Sequence, residues 1–140
     1  MIGGIEIPGD LALQGHSDAD VLLHALADAL LGAAGLGDIG EFFPDTDARF
    51  KNLDSAKIIE FVLQAVSDAG YRPGNVDITL IGERPRFTPY KQKIRQSLAE
   101  LLKIAVDCVG CKATTTEKMG ALGRSEGVGC MATVLLVRVG

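Results

Sequence analysis

The stretch Gly15-His16-Ser17-Asp18-Ala19-Asp20-Val21-Leu22-Leu23-His24 gathers both histidines of the chain and two carboxylates at the start of an apolar segment that runs through Leu31. If that segment is a helix, Asp20, His24 and Asp28 stack at i, i+4 and i+8 on one face. A neutral imidazole is a common zinc ligand, and a carboxylate one turn away can enter the coordination sphere or hold the ring by a hydrogen bond. His16 falls just before the helix, where free backbone N–H groups favour anions and a phosphate can dock. The alternative reading is a capped amphipathic helix with two ordinary surface histidines.

A second run with chemical potential is Lys112-Ala113-Thr114-Thr115-Thr116-Glu117-Lys118-Met119-Gly120, followed by Gly123-Arg124-Ser125-Glu126-Gly127. Three successive hydroxyls at a strand end can donate to phosphate oxygens, and the carboxylate after them can hold a hard divalent cation. Arg124 can clamp a phosphate from the side. Threonine is also common in strands for its β-propensity alone, so an exposed strand end is the competing reading.

These groups need elements to position them. Ser17 with Asp20 reads as a shortened capping box, and Leu22, Leu26, Ala29 and Leu30 predict a helix from about Asp18 to Leu31, closed by Gly32. Ile2 to Ile7 alternates like a strand, with Gly3 and Gly4 inside it, before Pro8-Gly9-Asp10 turns away. Gly35 to Gly40 and Phe43 to Asp47 form a long acidic loop with one helical turn around Glu41. Asp54 or Ser55 caps a second helix carrying Ile58, Ile59, Val62, Leu63 and Val66 up to Gly70. Val76, Ile78 and Leu80 alternate as a strand, and Arg84-Pro85-Arg86-Phe87-Thr88-Pro89 is a stiff loop. A third helix carries Ile94, Leu98, Leu101, Leu102 and Ala105, and Val109–Ala113 and Gly129–Val139 are the last strands. Interleaved strands and helices predict one α/β domain spanning residues 1–140: a mixed four-stranded sheet with helices on one face.

Composition limits the function classes. The 140 residues are 47% hydrophobic with a net charge of −4, which suits one core-forming domain. Five Phe and two Tyr offer no stacking platform, and no basic footprint for nucleic acid is visible. No apolar run approaches the ~20 residues that span a bilayer, and Met1-Ile2-Gly3-Gly4 lacks the charged start of a secretory signal, so no membrane partner is expected. The expected compartment is the cytoplasm or an equivalent reducing compartment. Cys108 and Cys111 fall in an apparent strand that points them to opposite faces, a poor chelate; with Cys130 they read as small buried hydrophobes.

Taken together, the motifs resemble one family, the 2-C-methyl-D-erythritol 2,4-cyclodiphosphate synthases of the non-mevalonate isoprenoid pathway. The matching pieces run in order from end to end: Ile2-Gly3-Gly4-Ile5-Glu6-Ile7-Pro8, His16 to Asp20 with His24, Leu36 to Gly40, Phe43 to Asp47, Asn75-Val76-Asp77, Arg84-Pro85-Arg86, and Lys112 to Gly120 with Gly123-Arg124. The resemblance implies a homotrimer with active sites shared between neighbouring subunits, zinc, and a magnesium or manganese ion. It implies cyclisation of 4-diphosphocytidyl-2-C-methyl-D-erythritol 2-phosphate with release of CMP, a phosphorus-oxygen lyase reaction.

By the same resemblance His24 matches a zinc ligand and Glu117 the ligand of the second cation. His16, Ser17, Asp38, Ile39 and Gly40 match contacts to the methylerythritol part, and Phe43, Pro44, Asp45, Thr46 and Asp47 a further substrate loop. Gly82, Glu83, Arg84, Pro85, Arg86, Phe87 and Thr88, with Ala113, Thr114, Thr115 and Thr116, match the cytidine and phosphate pocket. His16 and Thr115 match positions assigned to transition-state stabilisation, and Arg124, read above as a phosphate clamp, joins them as a substrate-binding residue. The nucleophile in this reaction is a phosphate on the substrate itself, so positioning and charge neutralisation are what the protein must supply.

Three departures are minor: Arg86 where Lys is frequent, Ala121 where some members carry an aromatic, and Ser125 where Gly is frequent. A larger one concerns zinc. Members usually open with a strand whose Asp-x-His pair gives two zinc ligands, and the sequence starts after it, so weak zinc retention and weak turnover are expected of these 140 residues. A non-catalytic trimeric module for nucleotide or isoprenoid diphosphates is the alternative class. A plain zinc hydrolase is disfavoured by the lack of a His-Glu-x-x-His helix.

Overall fold

The computed structural model describes residues 1–7, 20–43, 54–83, 86–123 and 127–140. Helix α1 spans Val21–Ala33 and buries Leu22, Leu23, Leu26, Ala27, Leu30 and Leu31, the apolar stripe its sequence period predicts. It runs past Gly32. Gly35, at φ +73°, closes it instead, with Gly35 N–H donating to the Gly32 carbonyl and Leu36 N–H to the Leu31 carbonyl, a Schellman ending. A single turn, α2, covers Ile39–Phe42, where the sequence suggests a turn around Glu41. Helix α3, Ser55–Asp68, is capped by Asp54, whose carboxylate accepts from Ala56 N–H. Helix α4, Lys91–Leu102, follows a 3-10 turn at Thr88–Tyr90, and a last short turn, α5, spans Gly120–Gly123.

Among the described residues the sheet has three strands, in the order β2-β1-β3. Strand β1, Tyr71–Ile81, is central; it pairs parallel with β2, Val109–Thr114, and antiparallel with β3, Gly129–Arg138. It starts earlier than the alternation of Val76, Ile78 and Leu80 indicates. The register shifts between Pro73 and Asn75, and such a bulge accommodates a proline that cannot donate to the ladder.

The fourth strand expected at Ile2–Ile7 is not one. Ile2 and Ile5 form an isolated bridge closed by their reciprocal backbone hydrogen bonds at 2.8 and 3.0 Å, with Gly3 and Gly4 between them at φ +61° and +80°. Two left-handed glycines between paired residues make a two-residue hairpin turn rather than continuous strand.

All three larger helices lie on one face of the sheet, α1 over β3, α3 on α1 and β1, and α4 over β2. Val76, Ile78 and Leu80 point into that layer with Val109, Ile59, Val62, Ile94 and Leu98. Alternation then aims Asp77, Thr79, Lys112, Met131, Thr133 and Leu135 to the open face. Met131 and Leu135 are 66% and 59% exposed there, beside the Lys112–Asp77 ion pair at 2.9 Å.

The cysteines behave differently from expectation. Cys108 ends a 3-10 turn ahead of β2, and all three are free and only half-buried. Burial raises the Cys111 thiol and pushes that of Cys130 up to about 12, helped by the neighbouring Cys111 and Asp20. Burial thus favours the thiol form of Cys130 over the thiolate. No helix of the described residues is long and apolar enough to cross a membrane.

Candidate active site

Parallel pairing of β1 and β2 brings the two strand ends side by side, Ile81 opposite Thr114, and Gly82 N–H extends the ladder by donating to the Thr114 carbonyl at 3.1 Å. Clefts in mixed α/β sheets form where parallel strands end. Here a pocket of about 300 Å³ opens at that point, lined by Gly82, Glu83, Arg86, Phe87, Thr88, Ala113, Thr114 and Thr115. Phe87 is buried and gives it an apolar base, while Arg86, Thr88, Thr114 and Thr115 reach solvent. Two segments that the sequence marks separately thus meet in one place, through Gly82, Glu83, Arg86, Phe87 and Thr88 on one side and Ala113, Thr114 and Thr115 on the other.

Beyond β2 the chain makes a tight turn. Thr115 Oγ1 accepts from Glu117 N–H at 3.2 Å and Thr116 Oγ1 donates to the Met119 carbonyl at 2.7 Å. Glu117 is exposed at φ +53°, and its carboxylate has no protein partner among the described residues. One unengaged carboxylate two residues beyond the pocket's Thr115 suits a magnesium-like ion, which completes its shell with substrate oxygens and water.

The α1 face is built differently from the sequence expectation. Asp20 is 2% exposed: its Oδ1 accepts from Gly3 N–H at 2.8 Å and Leu23 N–H at 3.0 Å, and its Oδ2 from Gly4 N–H at 2.8 Å. It is the helix cap and the clamp of the Gly3-Gly4 turn. Asp28 Oδ1 accepts from Ile39 N–H at 2.7 Å, which holds α2 against α1. Neither carboxylate serves His24, whose Nε2 lies 3.3 Å from Ser55 Oγ, a partner sequence reading did not find. Among the described residues no three histidine, cysteine or carboxylate groups converge on a metal position. These residues do not by themselves fit a zinc centre.

Asp38 caps α2, its Oδ1 accepting from Glu41 N–H at 2.8 Å, and sits exposed with Gly40 at the turn's start beside Ile39. Phe43 is buried, packed edge-on to Phe42 and Phe61, so its ring belongs to the core. His16, Ser17, Pro44, Asp45, Thr46, Asp47, Arg84, Pro85 and Arg124 lie outside the described residues. A larger hollow of about 770 Å³, at the opposite end of β1 and lined by Tyr71, Arg72, Leu101 and Lys103 among others, contains none of the site residues read from the sequence.

The strand-end pocket and its order of motifs can be set against known proteins. The profile of the YgbB family matches residues 1–137. The chain belongs to the YgbB family. The resemblance read from the sequence is thereby borne out, since curated relatives carry the name 2-C-methyl-D-erythritol 2,4-cyclodiphosphate synthase. One from Leptospira borgpetersenii is 54% identical over 138 residues, covering 99% of this chain and 86% of the relative; one from Lysinibacillus sphaericus is 53% identical, covering 99% and 87%. Solved structures agree in fold. The bifunctional IspDF of Campylobacter jejuni superposes with a TM-score of 0.91 at 40% identity, over 99% of this chain and 37% of that one. The Plasmodium falciparum IspF complex with CDP gives 0.82 at 30% identity, over 99% and 83%.

Proposed function

We propose that this chain is a cyclodiphosphate synthase, a lyase converting 4-diphosphocytidyl-2-C-methyl-D-erythritol 2-phosphate to the 2,4-cyclodiphosphate with release of CMP. The observation that carries the reading is the meeting of Gly82, Glu83, Arg86, Phe87 and Thr88 with Ala113, Thr114 and Thr115 at one strand-end pocket. An oxygen of the substrate's 2-phosphate forms a bond to the β-phosphorus, and the bond from that phosphorus to the bridging oxygen breaks. The electron pair leaves with CMP. No protein nucleophile is required.

The chain's own groups then position and neutralise. Phe87 and the buried Gly82 shape the floor, the Thr114 and Thr115 hydroxyls donate to phosphate oxygens, and Arg86 offers a guanidinium at the rim. Glu117 would hold magnesium or manganese, which offsets charge on the phosphates. His16 and Arg124 belong to the same proposal as donors to the transferring phosphate, as do Ser17, Asp38, Ile39, Gly40, Pro44, Asp45, Thr46 and Asp47 as substrate contacts. His24 is proposed as a zinc ligand only in company with donors beyond the described residues. A charged diphosphocytidyl substrate does not cross bilayers unaided, which supports a cytoplasmic site.

CMP release from the authentic substrate, followed in magnesium with and without a chelator, is the test. Steady CMP formation abolished by chelation is the expected result. Tight nucleotide binding without any turnover would instead favour the non-catalytic binding module.

The reading includes a closed homotrimer. A single layer of helices leaves Met131, Thr133 and Leu135 uncovered, and symmetric association would bury them. The strand residues that face outward are these, while Ala132, Val134 and Leu136 face the helices. Leu135→Asp is expected to shift the assembly to monomers at micromolar concentration in light scattering and to remove most activity. A monomeric wild type would refute the trimer.

A further inference from the structure

Glu117 and Lys118, consecutive and neither of them glycine, both occupy the left-handed region, at φ +53° and +66°. L side chains adopt that conformation at a cost, so a pair of them persists only where surrounding contacts over-determine it. The hydrogen bonds of Glu117 N–H to Thr115 Oγ1 and between Thr116 and Met119 lie inside the turn and cannot fix it relative to the pocket. One long-range bond among the described residues can: Lys118 N–H donates to Glu83 Oε1 at 2.8 Å, across 35 positions of sequence. On the other side a Cβ at Gly123 would overlap the Lys118 backbone, so the turn is held between Glu83 and a position without a side chain.

Glu83 itself sits immediately after Gly82, whose N–H continues the β1–β2 ladder, so its backbone is fixed by the sheet. A carboxylate in the lining of a phosphate pocket carries a charge that opposes an anionic ligand, so its place there points to a role other than contact with phosphate. The contact it makes is with the Lys118 backbone amide. Building on the cyclodiphosphate synthase reading above, we propose that Glu83 is a positioning residue that clamps the Lys118 amide and so fixes the turn presenting Glu117 at the pocket rim.

The experiment compares Glu83→Ala, Glu83→Gln and Glu83→Ala combined with Lys118→Gly. It measures kcat, KM and the magnesium concentration for half-maximal CMP release, together with hydrogen exchange at the Lys118 amide without substrate. The alanine variant is expected to lose roughly tenfold in kcat and to need roughly tenfold more magnesium, as loss of one hydrogen bond implies. KM should stay within about twofold, and Lys118 exchange should accelerate about tenfold. Glutamine keeps an accepting oxygen and should restore both readouts to within about threefold, a rescue that a charge-dependent role would not give. Glycine at 118 removes the cost of the left-handed backbone and should recover part of the alanine loss.

Unchanged exchange and turnover in Glu83→Ala would overturn the clamp. So would a glutamine variant as impaired as alanine with a raised KM, because the charge would then act on substrate or cation directly. If the wild type releases no CMP, the reading of the activity falls, and Lys118 exchange alone still decides the clamp.

Discussion

Glu117→Gln is expected to lower magnesium-dependent CMP release by about a thousandfold, as losing several kcal/mol of charge stabilisation around a transferring phosphoryl group implies. The side chain is exposed and its carboxylate has no protein partner among the described residues, so the melting temperature should not move measurably. The contact Glu117 does make, its N–H to Thr115 Oγ1, is a backbone contact that the substitution leaves intact. Glutamine has nearly the same shape and keeps an oxygen at the same reach, but it lacks the charge that binds a hard cation. Raising the magnesium concentration should recover part of the lost rate. Wild-type turnover at ordinary magnesium would remove Glu117 from the cation site.

The helices were legible because their signals are local. Ile58, Ile59, Val62 and Val66 in α3, and Ile94, Leu98 and Leu102 in α4, recur at the helical period and are all buried. The two hydroxyl- and loop-rich strand ends were legible for a related reason: polar and conformationally special residues crowd in just where an apolar alternation stops. Errors arose where a local pattern admits two structures. Ile2-Gly3-Gly4-Ile5 can be read as alternation or as a two-residue turn, and what decides is Asp20, sixteen and more positions away, receiving both glycine amides. Stacking of Asp20, His24 and Asp28 follows from helical geometry, yet their partners are Gly3, Ser55 and Ile39, which that geometry does not name. Glu83 is the same case in the site, since its bond to Lys118 exists only because β1 and β2 pair in one register.

Asp20→Ala is expected to destabilise the fold by about 3–5 kcal/mol, which removes three acceptor contacts and leaves the amides of Gly3, Gly4 and Leu23 without their partner. For a chain of this length that corresponds to a fall in melting temperature of roughly 10 °C or more. An ordinary helix cap costs only about 1 kcal/mol on conversion to alanine, so the excess measures the tie between α1 and the Gly3-Gly4 turn. Asp20→Asn separates the two contributions. Its single oxygen can replace Oδ1, which serves Gly3 and Leu23, but not Oδ2, which serves Gly4, so roughly half of the loss should return. Gly4→Val should approach the same loss by another route, because valine at φ +80° is strained and its Cβ would press on Ser97 Oγ. Combining Asp20→Ala with Gly4→Val should then cost less than the sum, since both break one turn. Full additivity in thermal or urea denaturation would mean that the turn and the helix cap are held independently, and that Asp20 does not join them.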